Sequence, residues 1–315
     1  MQYSQKTASS AHRFDIFLFD AFSNHCLANT VEPLRAANML SDRPLYEWRF
    51  CTLDGGSVQS SSGLQVAPHG GLAEASGHTL IVMPSYGVRR IAPRDVGRAL
   101  FKVAPHYGRL AGFDTGSWLL AQAGLLDGYR ATIHWDELTA FSERFPDVEA
   151  VRERFVIDRD RITCSGAMAA FDLIIHLIAS DHGPLLAMDV TQLFMSRDAV
   201  DQRLPYKAGG GKTVNRALAI MQDSVEAPLT IPALARAVGC TQKTLELRMH
   251  AALQATPQAV YRHLRLTRAR QLVMNTDLPI TEISQRCGYE NASAMTRAFR
   301  VLFGHAPSAL RKAGG

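Results

Sequence analysis

The chain has no apolar run near the roughly 20 residues that a bilayer-spanning helix needs, so an integral membrane protein is not expected. Its opening, MQYSQKTASSAHRF, lacks the apolar stretch of a secretory leader and leads straight into a strand-like run, which argues against a signal peptide. Cysteine is sparse: Cys26, Cys51, Cys164, Cys240 and Cys287 stand far apart with no C-x-x-C pair. Neither a disulfide scaffold nor a cysteine-built zinc site is expected, and a reducing cytoplasm fits best. No sign of charge dominates the whole chain, which carries 34 Lys and Arg against 29 Asp and Glu. What is present is ordinary globular composition, 47% hydrophobic over 315 residues, a length for about two domains.

Cutting the chain near Ala208-Gly209-Gly210-Gly211-Lys212, its most linker-like stretch, separates halves of opposite sign. Residues 209–315 hold 14 Lys and Arg against 6 Asp and Glu, hence +8, while residues 1–208 hold 20 against 23, hence −3. A basic C-terminal part suits a polyanionic partner. That part also repeats itself. At an offset of 49, Leu229, Ile231, Leu234 and Gly239 match Leu278, Ile280, Ile283 and Gly288. After one inserted residue the offset is 50, and Leu245, Met249 and Pro257 match Met295, Phe299 and Pro307.

Each copy reads as a short helix, a glycine turn and a second helix, which is helix-turn-helix spacing twice over. Thr230 can cap a helix with Ile231, Leu234, Ala235 and Val238 on its apolar face, and Gly239 supplies the left-handed residue after it. Thr241 caps a second helix running to about residue 252. In the second copy Pro279 opens the first helix and Gly288 ends it. Asn291 or Ser293 then starts the next, which turns Met295, Phe299 and Leu302 inward. Between the copies, residues 257–274 form one long helix with Leu266, Ala269, Leu272 and Val273 on an apolar stripe.

On these residues, with Arg265-Leu-Thr-Arg-Ala-Arg-Gln-Leu272, Gly288-Tyr-Glu-Asn-Ala-Ser-Ala-Met-Thr-Arg-Ala-Phe-Arg300 and Phe303-Gly304, the segment from about 215 to 312 resembles the DNA-binding domain of AraC/XylS regulators. The resemblance implies two recognition helices, residues 241–248 and 291–300, in successive major grooves about 10.5 bp apart on one face of double-stranded DNA. Thr241, Lys243, Thr244, Glu246 and Arg248 are then the candidate DNA contacts of the first. Asn291, Ser293, Arg297 and Arg300 are those of the second. The family often has a Gln-Arg pair where this chain has Glu246-Leu247.

The N-terminal part alternates strand-like and helical text, which predicts an α/β domain, flavodoxin-like, with a largely parallel sheet flanked by helices. Strands are expected at 14–19, 48–53, 79–83 and 109–113, helices at 32–40, 94–104 and 116–123, and a hairpin at 155–164. In Ala111-Gly-Phe-Asp-Thr-Gly-Ser-Trp118 a strand ends, one residue sits in a tight turn and a helix begins at once. That is nucleophile-elbow geometry, in which the turn residue is thrust up beside helix N–H donors; enzymes place Ser or Cys there, and here the residue is Asp114.

This half resembles the PfpI-like, class I glutamine-amidotransferase-like fold, and the whole chain resembles the GlxA-type branch of AraC regulators. That branch usually reads Cys-Thr-Gly at the elbow, then Ala-Gly-Leu-Leu and Ala-Thr-x-His-Trp. This chain keeps Thr115-Gly116, Ala123 to Leu126 and Ala131 to Trp135 but not the cysteine. The acid that PfpI-like enzymes place after the first strand is missing from Asn24-His-Cys-Leu-Ala28. Both losses imply a fold that kept a binding site and dropped catalysis. Asp-Thr-Gly further resembles the subgroup that senses glycine betaine, carnitine or arginine. A small cationic amine against Asp114, Thr115, Gly116, Trp118, His134 and Trp135 is the expected effector, through charge pairing and cation–π attraction.

The reading is a flexible stretch at 1–12, a ligand-sensing domain at 13–198, a linker at 199–214 and a DNA-binding domain at 215–313. The expected function is a cytoplasmic, ligand-responsive transcriptional regulator, an activator, with RNA polymerase and a second copy of the chain as further partners and no cofactor. The alternatives are a PfpI-type amidase or hydratase fused to a DNA tether and a constitutive DNA-binding protein. Gly209 to Thr213 is not a phosphate loop, because that motif needs glycine at Tyr206. His176 and His182 lack a matching carboxylate, so no metal is expected. Cys164 reads as a buried core cysteine rather than as a nucleophile paired with His134.

Overall fold

The computed structural model describes residues 11–41, 43–91, 94–194 and 211–313. The expected flexible N-terminus, save its last residues, and most of the expected linker lie outside the described residues. Among the described residues no helix is long and apolar enough to cross a membrane. Contacts divide the chain into two compact units, Ser10–Leu177 and Ile178 onward.

The first unit opens with β1 (His12–Leu18), α1 (Asn24–Leu40), β2 (Tyr46–Thr52), β3 (Val58–Gln59), β4 (Gln65–Val66) and β5 (Gly70–Gly71). It continues through β6 (Thr79–Met83), α2 (Val88–Ile91), α3 (Arg94–Val103), β7 (Arg109–Phe113), α4 (Gly116–Gln122), β8 (Arg130–Ala131) and α5 (Leu138–Arg144). β9 (Glu149–Ala150), β10 (Phe155–Asp158), β11 (Arg161–Cys164) and α6 (Ala167–His182) follow. The main sheet has the order β10-β11-β7-β6-β1-β2-β5. All neighbours are parallel except the β10–β11 hairpin.

A sheet covered on both faces needs strands apolar on both faces, and β6 is buried at all five positions while β1 is buried from Phe14 to Leu18. One core cluster gathers Phe17, Leu80, Val82, Leu110, Trp118, Leu120 and Phe141. The expected strands 79–83 and 109–113 fall on β6 and β7, and the other two differ at their ends by one or two residues. The helix expected from 32 begins at Asn24, because the Ser23 hydroxyl accepts from the Cys26 N–H at 3.2 Å and caps it. The segment 24–28, read as the stretch after the first strand, is therefore the first turn of that helix.

The second unit holds α7 (Pro184–Phe194), α8 (Gly211–Asp223), α9 (Ile231–Ala237), α10 (Gln242–Leu253), α11 (Pro257–Asn275), α12 (Ile280–Arg286), α13 (Ala292–Phe303) and α14 (Pro307–Ala313). α8 starts inside the expected linker, whose last residues 211–214 are helical, and it buries Val214, Ala217, Leu218 and Met221. The division between units falls within α6, so α7 belongs with the C-terminal helices rather than with residues 13–198.

The repeat offsets reappear in the helix bounds. α9 and α12 begin and end 49 residues apart, and α10 and α13 begin and end 50 apart. The matched positions Leu234 and Ile283, Leu245 and Met295, and Met249 and Phe299 are all fully buried. One cluster joins α8, α9 and α10 to the start of α11, and another joins α12 and α13 to its later turns.

Candidate functional site

The elbow is built by close approach. Asp114 takes a left-handed φ of 59° between β7 and α4, a conformation unfavourable to a non-glycine residue. A Cβ on Gly116 would stand 2.0 Å from the Val82 carbonyl oxygen of β6, so only glycine lets α4 start there. The Ser85 hydroxyl donates to Asp114 Oδ2 at 3.1 Å, and the Thr115 hydroxyl donates to the Ser85 carbonyl at 2.8 Å. The His134 N–H donates to the Asp114 carbonyl at 3.0 Å. Asp114 is 7% exposed. Burial pushes its carboxyl above the usual carboxylate range, with the field of His134 and the Ser85 hydrogen bond pulling the other way.

The two indoles do not share one environment. Trp118 is buried among Phe141 and Phe145, with ring centroids at 6.3 and 5.3 Å, and the Arg89 guanidinium already lies 5.1 Å over its ring. Arg89 is held there by Glu137, to which its Nε and Nη2 donate at 3.0 and 2.7 Å. Trp135 is 66% exposed and sits 5.6 Å from the His134 ring. The structure thus brings Asp114, Thr115, Gly116 and His134 together, commits Trp118 to the core, and leaves Trp135 free on the surface beside His134.

Ser85 escaped the sequence reading, although it closely follows the fully buried parallel strand β6, and loops after such strands gather at one sheet edge. The thiols near the elbow are poor nucleophiles. Burial raises Cys164 to about 12, only partly offset by backbone hydrogen bonds from Asp114 and Gly166. Burial likewise holds Cys26 well above an ordinary thiol, helped by Cys164 and Asp114. Among the described residues no group of His, Cys, Asp and Glu could hold a metal ion.

In the second unit Thr241 and Asn291 are the N-caps of α10 and α13, accepting from the Thr244 and Ala294 N–H groups at 3.1 and 2.8 Å. The Thr241 and Thr244 hydroxyls lie 2.8 Å apart. Lys243, Leu247 and His250 are exposed along one face of α10, and Ser293, Arg297 and Arg300 occupy the matching face of α13. Glu246 accepts from Gln242 at 2.8 Å on that same face. Arg248 is drawn aside: it hydrogen-bonds the Thr213 hydroxyl of α8. The turn before α13 depends on Gly288, with φ of 69° and a would-be Cβ 2.6 Å from the Val225 carbonyl oxygen.

These features have close counterparts in known proteins. Residues 234–313 match the family model described as Helix-turn-helix domain. The transcriptional regulator GbdR of Pseudomonas aeruginosa is 38% identical over 92% of this chain and 81% of its own length. CdhR of the same species is 37% identical over 94% and 90%. GlxA of Rhizobium meliloti is 31% identical over 97% of both chains. Among solved structures, a ThiJ/PfpI family protein from Pseudomonas syringae shares the fold at a TM-score of 0.52 and 17% identity, covering 80% of this chain and 90% of that one. An AraC family regulator from Pseudomonas putida reaches 0.51 at 27% identity over 58% of this chain and 100% of its own. With a PfpI-like sheet domain followed by a duplicated helix-turn-helix, and relatives of this identity along nearly its full length, the chain belongs to the AraC family of transcriptional regulators, in the group of GlxA, GbdR and CdhR.

Proposed function

We propose that the chain is a ligand-responsive transcription factor whose first unit binds a small cationic amine at Asp114 and whose second unit binds operator DNA through α10 and α13. The observation that carries the effector reading is a buried, hydrogen-bonded carboxylate at the elbow where an enzyme would hold a thiol or hydroxyl. An anion there would meet Asp114 as a like charge, a repulsion of about 4 kcal/mol at 4 Å with an effective dielectric near 20. Trp135, exposed beside His134, offers a cation an open indole face, whereas Trp118 is covered by Arg89. A betaine, carnitine or arginine-like compound fits that chemistry, as does the likeness to the amine-sensing subgroup. Lys243 and Glu246 on α10 and Ser293, Arg297 and Arg300 on α13 are assigned to the DNA, and Thr241, Thr244 and Asn291 shape the helix starts.

The amidase or hydratase reading requires a thiol or hydroxyl nucleophile at the elbow, where this chain has the Asp114 carboxyl, and burial raises the pKa of the neighbouring thiols Cys164 and Cys26. We further assign activation through RNA polymerase, a homodimer and a cytoplasmic location as the setting in which such a factor meets its operator.

The effector reading has a pH signature. A cation pairs with the ionised Asp114, whose pKa is raised in the free protein, so binding takes up no proton at high pH and must expel one as pH falls through that pKa. Affinity for glycine betaine, carnitine or arginine, measured by calorimetry, is expected to weaken on acidification beginning above the ordinary carboxylate range. Asp114→Asn should bind weakly and without that acid limb. Succinate binding where none of the three cations binds would overturn the assignment.

A further inference from the structure

α11 serves both helix-turn-helix units. Val260, Tyr261 and Leu264 pack into the cluster of α8 to α10, and Leu266, Ala269, Leu272 and Val273 pack into the cluster of α12 and α13. His263 lies at the change-over and is 4% exposed. Its Nε2 stands 2.7 Å from Oδ2 of Asp189, a carboxylate itself only 6% exposed. One turn further along α11, the Thr267 hydroxyl lies 3.5 Å from the same oxygen.

Asp189 does not come from the matched helix-turn-helix domain, which starts at 234. It comes from α7, whose Met188 and Leu185 nevertheless pack into the first cluster and which lies against α10. Burial works to lower the His263 pKa, but the attraction and hydrogen bond of Asp189 outweigh it and raise it on balance. A buried hydrogen bond differs from an apolar contact in fixing the direction in which its two side chains meet.

We infer that Asp189 is a positioning residue for DNA binding: from α7 it clasps the middle of α11 through His263 and Thr267, and so holds the two helix-turn-helix units at one separation and angle. This rests on the reading that α10 and α13 both engage the operator. Two linked contacts gain affinity only as far as the linkage holds them in register with both sites. Loosening the clasp therefore spares each half-site and weakens the pair. It also ties DNA binding to α7, the helix that follows α6 out of the sensing unit.

The test uses the full chain and duplexes that the wild type selects from random DNA, each compared with versions that have one half-site scrambled or the spacing changed by a base pair. Asp189→Ala is expected to weaken binding to the two-site duplex about tenfold or more while single half-site binding stays within about twofold, and to flatten the preference for spacing. Asp189→Asn, which still accepts a hydrogen bond from Nε2, should restore most of the loss. Equal losses on one-site and two-site duplexes, or no loss on either, overturn the inference. If Asp189→Ala does not fold, His263→Gln is scored by the same ratio and spacing profile. A wild type that binds one half-site as tightly as two overturns the two-helix reading itself, and this inference with it.

Discussion

Replacing Arg297 by alanine is expected to weaken operator binding by about 1–3 kcal/mol and to relax the base preference at one position. Arg297 lies on the exposed face of α13, two turns before its end, while Met295 and Phe299 on the opposite face anchor the helix in the core. A guanidinium held there can donate two parallel hydrogen bonds to a guanine edge, which lysine cannot reproduce. Arg297→Lys should therefore recover part of the affinity and little of the specificity. Arg300→Ala, one turn further on, provides the contrast of a phosphate contact, with a loss uniform across sequences and a salt slope shallower by about one. Unchanged affinity and base preference in footprinting of Arg297→Ala would remove α13 from base readout.

Replacing Gly116 by alanine is expected to cost the first unit about 3 kcal/mol or more, because the new methyl would need the space of the Val82 carbonyl oxygen 2.0 Å away. That neighbour is backbone in the middle of the sheet, paired to β1 and β7, and it cannot rotate aside as a flexible side chain would. The melting temperature should fall by roughly 6–12 °C in a unit of this size, with Asp114 displaced from its Ser85 and His134 partners. Gly97 in α3, which like Gly116 has no positive φ but whose would-be Cβ meets nothing within 4 Å, is the comparison position for adding a methyl without a close approach. A Gly116→Ala chain that melts with the wild type would contradict the close approach.

The sequence made the sheet domain and the duplicated helices legible because both rest on local pattern. β6 and β7 each carry an apolar run, residues 80–83 and 110–113, and the repeat is held in register by buried positions at fixed offsets. The elbow was legible for the same reason, since strand, single turn residue and helix follow one another without a gap. What stayed hidden depends on long-range contact. Ser85 reaches Asp114 across 29 residues, Arg89 covers Trp118 by way of Glu137, and Asp189 meets His263 across 74. No periodicity encodes such pairings. The start of α1 was missed for a local reason: Ser23 supplies its cap, and only Cys26, Leu27 and Thr30 are buried in residues 24–31, too short a stretch to show helical spacing.

The link between the two units is best tested by operator occupancy in the presence of effector. Footprinting of wild type and Asp114→Asn on wild-type-selected duplexes, with and without glycine betaine, carnitine, arginine or succinate, reads both halves of the account at once. At least one of the three cations should shift the wild-type affinity for DNA, and succinate should not. The same cation should leave Asp114→Asn unmoved, although that variant binds DNA as tightly as the free wild type, since a ligand can act only through its differential affinity for the two states. A response to none of the cations, or an equal response in Asp114→Asn, would contradict the claim that Asp114 is where this regulator reads its signal.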